Sequence, residues 1–331
     1  MKKVISMSLS LVFVLITMFS LPLNTFAAET IQEPIENELV NPTEYLHLEK
    51  FTVDEVLECS YEEIRSYLDA CRKACGIDTN ASADNQDDVV APVWGSNWQK
   101  KEDVIKTHET ITFLSVCVMF ADKRAWKEDV LSAIGEAGMV AVWSAEPDNV
   151  GNGVLLDKMY AGHFYNPITG TNNRDETYPT AKSNAKEHYD LAVEYMKAGN
   201  RNKGLKYLGY TLHYIQDSGE PHHAANISAL RIYYNNAHGR FEKYVDENLE
   251  ILSPSDLSVS NDVYSYALRN SPSSIVEICA TAGYNEKGNV CQWGTPDYEI
   301  WKTVAKKQLR IVASYGAAVS YKFAVEAGMY N

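Results

Sequence analysis

One spacing, His-x-x-x-acid, occurs twice within 30 residues: His213 with Asp217, and His238 with Glu242. Residues four apart on an α-helix project from one face, one turn above the other. Each pair therefore calls for a helix that turns an imidazole and a carboxylate to the same side. Between the pairs, Ser218-Gly219-Glu220-Pro221 interrupts the first helix and His223 follows in the turn, because proline lacks the N–H that would continue the ladder. A lone pair of this kind is most often a solvated ion pair. Two pairs flanking a third histidine have metal-ligand spacing, and they require a fold in which helix ends converge.

The rest of the sequence supplies helices for such a fold. After Trp94, apolar periodicity predicts helices over about 105–122, 127–143, 180–198, 203–216, 231–250 and 296–321. Gly199-Asn200 supplies a stop for the third, and Val304, Ile311, Tyr315 and Val319 line one face of the last. Strand signals are scarce, and neither an internal repeat nor a low-complexity tract is present. With 331 residues, 45% apolar and 22% charged, the chain is long enough for a substantial core and ordinary in composition. The expectation is an all-α protein with a single helical domain.

Upstream of that domain the pattern changes. Met1-Lys2-Lys3, an apolar run from Val4 to Leu23 interrupted by serines, and the small residues around Ala27-Ala28 predict a signal peptide over 1–28 and a secreted, extracellular product. Residues 29–97 read as a prosegment and linker. Val53, Val56, Leu57, Ile64, Leu68 and Cys71 recur at helical spacing, predicting a short helix up to Cys75, and 76–92 are polar and acidic, as in a protease-accessible linker. The remaining domain spans 98–331.

Six cysteines in an exported chain suggest disulfides. Cys279 and Cys291 enclose Gly283, Asn285, Gly288 and Asn289 and could staple a loop, whereas Cys117, in an apolar run, reads as a buried free thiol. No Cys-x-x-Cys pair offers a thiolate metal site. The net charge of -14 repels nucleic acid and anionic surfaces and favours a small or zwitterionic substrate.

Further possible ligands precede the two pairs: His108, Asp148 within Glu146-Pro147-Asp148, and His163 within Gly162-His163-Phe164-Tyr165-Asn166-Pro167. The order Trp, His, Asp, His, His-x-x-x-Asp, His, His-x-x-x-Glu, together with His213-Tyr214, Asp217, Pro221, His223-Ala224 and Asn226, resembles the bacterial zinc-dependent phospholipase C family from Trp98 to about Gly328. Gln216, Ser218 and Gly219 depart from the family pattern at positions expected to touch no ligand.

The resemblance implies a helical, trinuclear zinc phosphodiesterase. Asp148, His163, His213 and Asp217 would hold one zinc, and His223, His238 and Glu242 a second. His108, a bridging Asp217 and the α-amine and carbonyl of an N-terminal tryptophan would hold a third. An amide nitrogen inside a peptide bond has no lone pair to give a metal, so that site requires a cut directly before Trp98 or Trp94, with Trp98 at the spacing of toxin-like members. Asp148 would double as general base, and Tyr160 and Asn149 would line the head-group pocket, where an aromatic face suits a cationic choline.

The implied partners are a phospholipid substrate, a transient membrane or micelle surface and an activating protease, with no nucleic acid and no obligate protein partner. Toxin-like members append a membrane-docking β-sandwich, and the sequence ends at Asn331, so dispersed phospholipid is the expected target. A single-strand-specific nuclease shares the implied fold but must bind a polyanion, which the acidic balance opposes. A non-catalytic zinc-binding protein would need closed coordination. His188 and His47 are expected at the surface, and His222 outside the ligand set.

Overall fold

A helix with no solvent-facing side through its first four turns organises the structure. In the computed structural model, which describes residues 53–75, 77, 107–123, 130–148, 160–228, 236–253 and 256–329, every residue from Thr107 to Phe120 of helix α3 (Thr107–Lys123) is buried. Helices apolar all round lie at the centre of a core, and Ile111, Phe113, Leu114, Val116 and Met119 fit that rule. The first turn, however, is polar. His108 and Glu109 are each 1% exposed, and buried polar groups must find partners.

Helices α1 (Val53–Glu58) and α2 (Tyr61–Ala74) precede α3; α4 (Val130–Ser144), α5 (Ala181–Lys197), α6 (Arg201–Gly219), α7 (Pro221–Ala224), α8 (Ala237–Glu247), α9 (Asn261–Arg269), α10 (Pro272–Val290) and α11 (Tyr298–Glu326) follow. Three-residue 3-10 turns lie at Glu146–Asp148, Ala161–His163 and Leu249–Ile251. Among the described residues there is no strand, only one isolated bridge between Asn166 and Thr171. The all-α expectation holds.

Local chemistry sets the boundaries. Thr180 and Ser183 form a reciprocal cap at the start of α5, satisfying two otherwise orphaned N–H groups. At its end Gly199 takes φ +82°, the left-handed position at which a β-carbon would be penalised. Asn200 then caps α6 by accepting from Lys203 N. The two helices form an antiparallel hairpin. Helix α11, 29 residues and so about 43 Å long, runs beside α3, α6, α9 and α10. Its buried face carries Trp301, Val304, Leu309, Val312 and Val319, with Ile311 and Tyr315 on the flank.

Three helices, the short α7 and the longer α9 and α10, fall where no helix is predicted. Helix α10 contains the stretch read as a cystine loop. Gly283 sits inside it because the carbonyl of Gly219 packs there, 2.8 Å from where a β-carbon would lie; the glycine serves close packing and not a turn. All six cysteines are free thiols. Cys279 and Cys291 are separated by about 18 Å of helical rise, far beyond disulfide reach. Cys117 is a buried free thiol, as predicted.

Residues 53–75 form two helices and not one, because Ser60 and Glu63 build a capping box that restarts the chain. Val56, Ile64, Tyr67, Leu68 and Cys71 join the same hydrophobic core as α3 and α4, each large apolar side chain contributing about 2 kcal/mol by burial.

His188, expected at the surface, instead sits on α5 within a box of tyrosines. Its ring stacks on Tyr207 and Tyr214, with centroids 5.7 and 5.5 Å away, and meets Tyr210 edge-on at 5.3 Å. Loss of hydration pushes its pKa down to about 4. The folded state therefore keeps it neutral while the unfolded chain takes up a proton, so folding loses up to about 3 kcal/mol as pH falls from about 6.5 to 4. His188→Phe, which keeps the stacking and cannot titrate, should lose less thermal stability than the parent between pH 7 and 4.5. Parallel losses in the two proteins, measured by calorimetry, would contradict this account.

Candidate metal centre

Six imidazoles and four carboxylates converge in one buried box: His108, His163, His213, His222, His223 and His238 with Asp148, Asp217, Glu220 and Glu242, none more than 2% exposed. Helix α3 delivers His108 from its first turn, and the 3-10 turn after α4 delivers Asp148. The turn Ala161–His163 ends on His163. Helix α6 brings His213 and Asp217 at its C-terminal end, and α8 brings His238 and Glu242 at its N-terminal end, capped by Asn236. Short helix α7 carries His223, with Pro221 in its first turn and Glu220 as N-cap, accepting from His223 N at 2.7 Å.

The close approach of α4 and α6 fixes one imidazole. A β-carbon at Gly209 would lie 2.6 Å from Val140 O, so glycine lets the helices meet backbone to backbone. One turn later, the Ser144 carbonyl accepts from His213 Nδ1–H at 2.8 Å. His223 Nδ1–H likewise donates to His163 O at 3.0 Å, and His108 Nδ1–H to Gln216 Oε1 at 2.8 Å, while Gln216 Nε2 donates to Thr112 Oγ1. Each bond consumes the ring's one N–H and aims the other nitrogen, as a lone pair, into the box. Gln216, expected to touch no ligand, thus orients His108.

The donor atoms cluster tightly. His163 Nδ1 lies 2.8 Å from Asp217 Oδ2, and His213 Nε2 lies 2.9 Å from both. Asp148 Oδ1 stands 3.5 and 3.6 Å from the same two nitrogens. The other oxygen of Asp217, Oδ1, faces His108 Nε2 at 3.4 Å and His223 Nδ1 at 3.6 Å. Glu242 Oε1 lies 2.8 Å from His238 Nε2 and 3.2 Å from His223 Nε2. Two imidazole nitrogens 2.9 Å apart share either one proton or one cation.

Electrostatics point the same way. Burial holds the Asp148 carboxyl well above the usual carboxylate range. For Asp217 burial pushes upward too, but the surrounding imidazoles outweigh it and hold the carboxyl well below that range; Glu242 is drawn down to about 2 in the same way, chiefly by His238 and His223. Burial pushes His213 down to about 3. His223 is lifted to about 10 because Asp217, Glu242 and Glu220 outweigh its desolvation. Unpaired buried carboxylates cost several kcal/mol each, so the box needs protons or metal cations. Three sets, His108/Asp148/His213, His163/His213/Asp217 and Glu220/His223/His238, each place one donor atom per residue within 4.8 Å of the others. Nitrogen and carboxylate donors without thiolate fit zinc, and Asp148 Oδ2, buried without a hydrogen bond among the described residues, fits an open valence.

Seven sequence-predicted ligands beyond Asp148 are brought together here; Trp98 and Asn149 lie outside the described residues. Tyr160 stands beside the box, its ring 5.7 Å from that of His163, and takes the left-handed φ of +64° that non-glycine residues rarely adopt. Burial and the Asp148 charge push its hydroxyl up to about 12. Glu220 and His222 were not anticipated. Glu220 Oε1 accepts from His222 Nδ1 at 2.7 Å, Glu220 Oε2 lies 3.9 Å from His238 Nε2, and the rings of His222 and His238 stack 5.0 Å apart. Glu-Pro-His-His in a break between helices was the available signal, since a short capped turn points neighbouring residues inward together.

The zinc dependent phospholipase C family profile matches residues 140–285. Phospholipase C of Bacillus cereus is 29% identical over 167 residues, covering 47% of this chain and 54% of that protein. Phospholipase C of Clostridium perfringens is 26% identical over 235 residues, covering 64% and 58%. The chain thus spans little more than half the length of these relatives. In solved structures, the alpha toxin of Clostridium absonum shares the fold with a TM-score of 0.56 at 21% identity, over 67% of this chain and 64% of that one. With its converging histidines and acids inside the matched region and just upstream of it, the chain is similar to the zinc-dependent phospholipase C family over residues 140–285.

Proposed function

We propose that this protein is a secreted zinc phosphodiesterase that cleaves the glycerol-side ester of phosphatidylcholine-type phospholipids, releasing diacylglycerol and a phosphorylated head group. The observation carrying the reading is Asp217, whose two carboxylate oxygens face different imidazole groups. That arrangement suits a bridge between two zincs. Asp148, His163, His213 and Asp217 would hold one ion; His223, His238 and Glu242 a second; and His108, Asp217 and an N-terminal Trp98, freed by a cut directly before it, a third.

Zinc in such a box supplies Lewis acidity toward a phosphodiester and opposes the charge that builds on its oxygens. The chain's own residues then divide the remaining work. Asp148 Oδ2, free of hydrogen bonds among the described residues and raised in proton affinity by burial, can accept the proton of an attacking water. Gln216, Ser144 O and His163 O hold imidazoles in the tautomer that binds metal. Tyr160, at the edge of the box, offers an aromatic face to a choline cation, with Asn149 as its neighbour in the head-group pocket. No described helix is long and apolar enough to cross a membrane.

The secreted protein should turn over a chromogenic choline phosphodiester, lose that activity to a chelator and regain it with zinc, and leave single-stranded DNA intact. Preference for DNA would refute the phospholipase reading in favour of a nuclease. Asp217→Asn should lower kcat/KM by at least about 10²–10³-fold, the scale of removing one preorganised charge-stabilising group, and should release two zincs together; loss of a single zinc would contradict the bridge. Glu220→Gln, which keeps the helix cap but removes a buried charge from beside His238, should weaken zinc binding by about 10–100-fold, read by competition with a chromophoric chelator.

A further inference from the structure

The helical pair upstream of the proposed cut is built into the core of the domain. The α1–α2 hairpin packs against α3, α4 and the segment after α8, and Ile77 packs against the same core. Tyr67 Oη donates to Ile134 O at 3.2 Å, and its ring lies 5.5 Å from that of Phe113. Helix α4 is notched to receive it: a β-carbon at Gly138 would lie 2.6 Å from Cys71 Sγ and 3.0 Å from Tyr67 Oη. Tyr61 Oη donates to Leu252 O.

An ion pair crosses the same interface. Arg72, 9% exposed, donates through Nε to Glu109 Oε1 at 2.7 Å and also pairs with Asp69. Glu109 is 1% exposed and precedes Thr110 on the first turn of α3, next to His108. If the hairpin left, Glu109 would lose the guanidinium that faces it in the interior, and removing one partner of a buried pair leaves an uncompensated charge. Ile134, Phe113 and the Gly138 notch would open to water.

We infer that a cut before Trp98 nicks the protein and does not shorten it: residues 53–77 stay seated on α3 and α4 as a separate, noncovalently bound chain, and the mature molecule has two pieces. The inference rests on the cleavage proposed above. The hairpin then acts as a fixed wall behind the helix that carries His108, while the cut frees the tryptophan amine.

The test is to place the recognition sequence of a site-specific protease directly before Trp98 in the full chain, cleave it, and compare gel filtration in native buffer and in denaturant by mass spectrometry. Both pieces should co-elute in native buffer and separate only in denaturant, with Arg72→Met lowering retention of the small piece by at least tenfold. Separate elution in native buffer, with the large piece melting as before, would overturn the inference. Zinc content distinguishes the two readings: co-elution without any gain in bound zinc on cutting would leave the two-piece molecule standing and refute the terminal tryptophan ligand.

Discussion

Asp217 ties the structure together. Its carboxylate is 1% exposed at the C-terminal end of α6, with one oxygen against His163 and His213 and the other facing His108 and His223. A buried charge of this kind is tolerable only where opposite charge surrounds it. The four imidazoles it faces come from α3, from the 3-10 turn before α5, from α6 itself and from α7, so satisfying one carboxylate draws four segments into register. Asp148, Glu220 and Glu242 repeat the problem within the same volume. The residues that make this interior costly for an apolar core are those that make it a receptor for divalent cations.

The helical frame serves that convergence. Gly209 lets α4 and α6 touch, and their contact sets the Ser144 carbonyl on His213. Gln216, one residue before Asp217 and about 100° round α6 from it, accepts from His108 and is itself anchored by donating to Thr112. Orientation is therefore supplied by backbone carbonyls and an amide that do not titrate near neutrality, which keeps each ring in one tautomer across a wide pH range. Acid sensitivity of the fold arises both in this box and in the tyrosine box around His188.

Much of this was legible in the residues alone. The all-α class follows from sustained 3.6-residue periodicity, and the pairs His213/Asp217 and His238/Glu242 follow from four-residue spacing, both local properties. What escaped reading depends on tertiary contact. Helix α10 was hidden because Gly283, Gly288 and two asparagines look like loop residues, and the packing of Gly283 against the Gly219 carbonyl is invisible in one dimension. Glu220 and His222 lie beside ligands in a broken segment where the alternation of an extended chain no longer predicts direction. The hairpin of residues 53–75 has an ordinary amphipathic pattern, which says that it packs on something and not on what.

The most direct test of the account is the metal content of the purified chain. Elemental analysis after exhaustive dialysis should find about three zinc ions per chain once Trp98 is terminal, or about two with the upstream segment still joined, with X-ray absorption reporting nitrogen and oxygen neighbours and no sulfur. A protein free of zinc that keeps the same fold and melts no higher when zinc is added would contradict it, for the buried carboxylates would then be balanced by protons alone.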